Sequence, residues 1–182
     1  MDPVSDDKLE RYDQLQQDLN AAAYQDPERA LAYCREQYFE PLGLGSGRIA
    51  IAVDHRSVMK VAWRERGLLD NQIEAELWKQ AGPELKELLC PVLSLRESGV
   101  QLQARCLPTV GSALDPTTQQ MITRLAQHGI TDGAINLGFL LDAQDPTSTV
   151  GHIVCYDYAL LRPETFAKLF PAVTNNLGSL PF

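Results

Sequence analysis

The sequence predicts an α+β fold, and three observations carry that reading. Two segments of helical spacing open the chain. The strands that follow come as adjacent pairs, "RIAIAV" with "SVMKVA" around "DHR", and "PVLSL" with "VQLQARCL" around "RESG", which is the pattern of antiparallel hairpins. Single helices separate these pairs instead of following every strand, so the regular alternation of a doubly wound parallel sheet is excluded.

Residues 5–24 form the first expected helix. Ser5, Asp6 or Asp7 serves as its N-cap, and Leu9, Tyr12, Leu15, Leu19 and Ala22 mark its apolar stripe. "QDPERALAYCREQY" is the second, with Asp26 as N-cap and Pro27 at the first helical position. Short isolated helices are marginal in water, so the stripe of the first is expected to pack on the domain. From Tyr38 to Ala62 the period becomes that of strands. "RERGLLDNQIEAELWKQA" is a helix with Ile73, Leu77 and Trp78 turned inward, and "GPELKELL" is a short capped turn. The second hairpin is followed by a helix in "DPTTQQMITRLAQHGI" and by strands in "INLGFLLDA" and "GHIVCYDYAL". The tail from Arg162 holds one short helix at most.

The totals bound the function. At 182 residues, 45% hydrophobic and 22% charged, the chain can fold around its own core. A net charge of −8 argues against broad electrostatic binding to nucleic acid or to an anionic membrane. No apolar run reaches the roughly 20 residues of a membrane span, and the acidic N-terminus is unlike a secretory signal, so a cytoplasmic location is expected. Cys34, Cys90, Cys106 and Cys155 are widely spaced and read as buried free thiols. With His55, His128 and His152 scattered as well, no metal-ligand spacing of the zinc type is present.

A set of chemistry-bearing residues follows the element order. Gly43, Gly45 and Gly47 make a G-x-G-x-G turn between strands, where backbone could approach a phosphate; a plain hairpin would use the same glycines. No Gly-Lys-Ser/Thr follows, so it is not a Walker motif. Lys60 is embedded in the apolar strand "VMKVA". Glu74 or Glu76 of the next helix could pair with it, and Glu74 lies closer to the inward residues Ile73 and Leu77. "HGITDGAINLGF" offers Asp132 and Asn136, and "VCYDYAL" offers Asp157 at a strand exit.

That order, from the glycine turn through "VMKVA", "NQIEAELW" and "DGAINLG" to "VCYDYAL", resembles the protein-kinase-like superfamily, in particular small bacterial and phage-type members. The resemblance spans roughly residues 41–160. It implies a minimal kinase-like fold: an N-terminal helical extension over 1–36, an antiparallel-sheet N-lobe over 37–108, and a reduced helical C-lobe over 109–182. It implies ATP and Mg²⁺ as ligands. Gly43, Gly45 and Gly47 would cover the phosphates, and Lys60 would contact them while paired with Glu74. Backbone groups of Arg105 to Leu107 would lie beside adenine. Asp132 would act as catalytic base, and Asn136 and Asp157 would ligate Mg²⁺. Three departures accompany the likeness. Asp132 and Asn136 are four apart where the family has five, which in strict register puts Thr131 at the base position. No Gly follows Asp157, and only 25 residues follow it in the sequence. Two functions stay open on the resemblance: γ-phosphoryl transfer to a protein or small-molecule hydroxyl, and a catalytically impaired pseudokinase that binds a protein partner. An unrelated α+β interaction protein is the third reading.

Overall fold

The computed structural model describes residues 5–24, 26–109, 115–131, 136–141 and 149–171, with backbone alone for 149–152. The elements are α1 (Asp6–Ala22), α2 (Pro27–Glu36), β1 (Pro41–Leu44), β2 (Arg48–Ala52), β3 (Ser57–Ala62), α3 (Glu65–Gln80), α4 (Pro83–Lys86), β4 (Val92–Leu95), β5 (Gln101–Ala104), β6 (Cys106–Pro108), α5 (Pro116–Gln127), β7 (Leu137–Leu141), β8 (Thr149–Cys155) and α6 (Pro163–Leu169). They make an antiparallel sheet in the order β1-β2-β3-β5-β4 and a second one in the order β6-β7-β8. The α+β class and the antiparallel hairpins of the sequence reading are therefore present.

The first sheet divides its side chains by the strand period of two. Ile49, Ile51, Met59, Val61 and Leu102 face α1 and α2, where they join Tyr12, Leu15, Leu19, Ala30 and Cys34 in one core. The opposite face carries Arg48, Ala50, Val58, Lys60, Gln101 and Gln103, and it looks onto α3 and the second sheet. A second core lies under α3, α4 and α5, built from Leu77, Leu85, Leu88, Leu89, Met121, Leu125, Leu137 and Tyr158.

The helical stripe of α1 packs on the sheet, and polar side chains pin it there. Ala62 is opposite Arg48 of β2, but β5 stops pairing with β3 at Gln101, so no strand partner meets Ala62 on that edge. Gln16 fills that gap: its Oε1 accepts from Ala62 N at 2.8 Å and its Nε2 donates to Ala62 O. Asp13 accepts from Arg96 Nε at 2.7 Å and from Ser98 Oγ at 2.5 Å, which ties the helix to the β4–β5 turn. Tyr12 donates its hydroxyl to Ala52 O at 3.2 Å.

Two boundaries differ from the sequence reading. The second helix stops at Glu36, because Tyr38 takes a left-handed φ of 62° and turns the chain toward β1. "VQLQARCL" is not one strand but two. Arg105 N donates to Arg56 O at 2.8 Å in the first sheet, while Arg105 O accepts from Leu141 N at 3.1 Å in the second. The strand changes sheets at that residue, which the uninterrupted alternation could not reveal. The short helix expected in the tail is α6.

Candidate functional site

Lys60 and Glu74 meet in the interior. Lys60 lies on β3 with its side chain on the α3 face, and Glu74 is on the buried stripe of α3 beside Ile73 and Leu77. Nζ of Lys60 is 2.7 Å from Glu74 Oε2 and donates also to Tyr156 O at 2.6 Å. Glu76, the alternative partner, bonds Gln80 Nε2 at 2.7 Å on the outer side of the same helix.

Glu74 is wholly buried and saturated with donors. Besides Lys60 it accepts from Arg48 Nη2 at 2.9 Å, Gln101 Nε2 at 2.9 Å and the backbone N of Tyr158 at 3.2 Å. Burial alone pushes its carboxyl up, yet the Arg48 and Lys60 charges and their hydrogen bonds outweigh that and hold it at about 2. Asn71 completes the network. Its Oδ1 accepts from Arg48 Nη1 at 3.1 Å, and its Nδ2 donates to Lys60 O and Gly99 O at 3.0 and 2.8 Å. The Tyr158 amide and the Tyr156 carbonyl join the segment after β8 to this cluster, so one buried polar knot fastens the two sheets together.

Arg48, Asn71 and Gln101 were not singled out in the sequence. The available signal was the period of β2 and β5. Ile49, Ile51 and Leu102 mark the apolar face, so Arg48 and Gln101 must share the other face with Lys60. Burial works against the charge of Arg48, but Glu74, Asp157 and Asp70 together raise its pKa, so it stays a cation. Asp70 lies at the edge of the same cluster. Burial, offset in part by Arg48 and Arg66, raises its carboxyl, and Arg66 Nε lies 2.8 Å from Oδ1 without hydrogen-bond alignment.

Asp157 stands just past β8, and its Oδ1 is 2.5 Å from Arg48 Nη2. Asn136 stands just before β7, and its carbonyl accepts from Tyr156 N at 2.9 Å, so residues 136 and 157 flank the open end of the β7–β8 pair. Asp132 lies outside the described residues. Thr131 is tied down: its N and Oγ1 both donate to Leu160 O, at 2.9 and 3.1 Å.

The glycine turn rests on the start of α3. Gly45 N donates to Arg48 O at 2.8 Å to close the hairpin, and Trp63 donates from its backbone to Gly47 O at 3.0 Å and from its indole to Gly45 O at 3.2 Å. Gly67 packs so closely on Gly47 that a Cβ at Gly67 would collide with the Gly47 carbonyl oxygen. None of Gly43, Gly45 and Gly47 has positive φ. At Gly47 the close approach of α3 is the reason for glycine, whereas Gly43 has open space where a Cβ would stand.

Beside Lys60 lies a cleft of about 310 Å³. Leu42, Ala50 and Val58 form one wall, Arg105 to Pro108 the other, and Lys60 and Tyr156 its inner end. The register of β6 decides which backbone groups face it. Arg105 spends its N–H and C=O on Arg56 O and Leu141 N, and Leu107 is opposite Phe139 in the same alternating register. Cys106 N–H and C=O are thereby turned to the open edge of β6, which has no strand partner among the described residues.

The residues fit a nucleotide better than a metal ion. The cleft has the apolar walls a purine needs, an open strand edge to pair with it, and an ammonium at its inner end. For Mg²⁺ the carboxylate of Asp157 is already matched to a guanidinium. Among the described residues no three His, Cys, Asp or Glu side chains converge. A Mg²⁺ ion at Asp157 would share that carboxylate with Arg48. No family model, curated protein or solved structure matches this chain.

Proposed function

We propose that the chain is a kinase-like ATP-binding domain. One observation carries the reading: a buried Lys–Glu ion pair forms the inner end of an apolar cleft whose outer wall is a strand crossing between two sheets. The supporting topology is an antiparallel sheet in the order β1-β2-β3-β5-β4 with its helix between β3 and β4, then a helix and a β7–β8 hairpin. A lysine on the third strand paired with a glutamate on the next helix is the pair that protein kinases use at their ATP site.

In this reading the purine lies between Ala50, Val58 and Leu107 and pairs with the open edge of Cys106. Lys60, already held by Glu74 and Tyr156 O, directs its remaining proton toward the phosphates. Glu74 fixes the ammonium in place. Arg48 adds a second cation on the other oxygen of Glu74. ATP supplies the phosphoryl group, and a protein or small-molecule hydroxyl is the acceptor. The base is Asp132 on the family likeness.

A second reading, a kinase-like module that binds nucleotide or a protein partner without transferring phosphate, is favoured by one specific observation. Arg48 neutralises Asp157, the carboxylate that would recruit Mg²⁺. The two are separated by an Arg48→Ala variant in calorimetric ATP titrations with and without Mg²⁺, followed by a phosphate-transfer assay. Mg²⁺-dependent ATP binding with phosphate transfer by the wild type supports the enzyme, whereas transfer gained only in the variant shows that Arg48 disables Asp157 and supports the module. ATP binding with no transfer in either protein supports the module. No ATP binding in wild type or variant refutes the enzyme and the nucleotide-binding form of the module.

A further inference from the structure

The wall of the cleft contains a second chemistry. Cys90, at the entry to β4, and Cys106, the first residue of β6, place their sulfurs 3.0 Å apart. That is inside the contact distance of two unbonded sulfurs and about one ångström longer than a disulfide. The two thiols lie 16 residues apart in sequence and are brought together by the same change of sheet at Arg105 that shapes the cleft. We propose that Cys90 and Cys106 are a redox pair that closes to an intramolecular disulfide under peroxide, stapling the cleft strand β6 to the start of β4.

The two cysteines have different surroundings, which sets the order of events. Cys106 is partly exposed and lines the cleft, so a small peroxide reaches it from solvent. Cys90 is buried, its Sγ lies 3.1 Å from Ala104 O, and burial pushes its thiol well above the usual range. It is a poor first nucleophile but a well-placed second one. The Cys106 sulfur, as thiolate, attacks one oxygen of hydrogen peroxide. The O–O bond breaks, and the departing hydroxide takes up the proton released by Cys106 to leave as water. Cys106 is now a sulfenic acid. The Cys90 sulfur attacks it, the S–O bond breaks, and the departing hydroxide leaves with the Cys90 proton as a second water. Two thiols and one peroxide thus give one disulfide and two waters.

The remaining cysteines have no such partner. Cys34 is buried in the core under α1, and burial raises its thiol to about 11. Cys155 is buried and donates to Asp157 O at 3.2 Å. It is the one rival for Cys90, because the Cys90 amide bonds the Cys155 carbonyl at 2.8 Å. The proposal does not depend on nucleotide binding.

The test treats the folded full chain with equimolar hydrogen peroxide, removes the excess with catalase, blocks free thiols with N-ethylmaleimide in denaturant, and maps tryptic peptides by mass spectrometry. Trypsin cuts after Lys86, Arg96 and Arg105, so the two cysteines fall on separate peptides, residues 87–96 and 106–124. The expected result is loss of two of the four thiols, an intact mass before alkylation lower by two hydrogens, and a cross-link between those two peptides that reductant reverses. Cys106→Ser should abolish the cross-link and keep the remaining thiols reduced. Cys90→Ser should leave Cys106 as a sulfenic acid that dimedone traps. The idea is overturned if wild type keeps all four thiols, if the link joins Cys155 or a second chain, or if Cys106 is oxidised to sulfinic acid without any link to Cys90. The wild-type map decides the matter even if a serine variant fails to fold.

Discussion

Replacing Glu74 with Gln removes a single charge from the centre of the buried knot while keeping its shape. The wild-type carboxyl is held at about 2 against an ordinary 4.5. At about 1.36 kcal/mol per pH unit, that difference corresponds to about 3 kcal/mol of stability. The sign follows from linkage. A carboxylate whose pKa is depressed by folding contributes its full stabilisation above the unfolded value and loses it as pH falls through the folded value. The window therefore runs from about pH 5 down to about pH 2. At pH 7 the Gln variant should be less stable by about 3 kcal/mol, with 3–5 kcal/mol the usual cost of breaking a buried pair. As pH falls toward 2 the wild-type carboxyl protonates and becomes as neutral as the amide, so the two stabilities should converge. Urea unfolding of both proteins at a series of pH values measures this. Asp13, partly buried but held down by Arg96 and Ser98, also titrates in the acid range, and it cancels in the comparison. Two parallel curves, separated equally at pH 7 and pH 3, would show that Glu74 is not the ionised centre of the site.

Two further outcomes follow from the packing. Deleting residues 1–36 removes Tyr12, Leu15 and Leu19, each 2% exposed or less, and uncovers Ile49, Ile51 and Met59. At about 1.5–3 kcal/mol for each large side chain the loss is roughly 5–9 kcal/mol, comparable to the whole stability of a domain of this kind. The truncated chain should lack a cooperative melting transition, and an unchanged melting curve would contradict the packing. Gly67→Ala offers a test of sign. In an unobstructed helix it would stabilise by about 1 kcal/mol, whereas the collision with Gly47 O should destabilise by about 1–3 kcal/mol. A raised urea midpoint would refute the close contact between the glycine turn and α3.

Much of this architecture is legible in the sequence, for reasons that particular residues make plain. Strand period and hairpin turns are local, so the pairing of β2 with β3 follows from "RIAIAV", "DHR" and "SVMKVA". The partnership of Lys60 and Glu74 is legible because a cation in an apolar strand and a carboxylate on an apolar helix stripe each need a buried counter-charge. Arg48 was readable only in part. Its face follows from Ile49 and Ile51, but its reach to Asp157, 109 residues away, depends on how the second sheet docks. The change of sheet at Arg105 leaves no local trace, because both strands keep the same alternation. The contact of Cys90 with Cys106 is hidden by that same crossing. Asp132, the expected base, lies outside the described residues.

Calorimetric titration of ATP into the wild type and into Lys60→Met decides whether the cleft beside Lys60 is an ATP site. The methionine preserves the apolar stem of the side chain and removes the ammonium. One saturable ATP site is expected in the wild type, with at least tenfold weaker binding in the variant and adenosine binding less affected than ATP. Absence of ATP binding by the folded wild type, with Mg²⁺, with Mn²⁺ and without metal, would contradict it. Equal ATP affinity in both proteins would contradict the role given to Lys60.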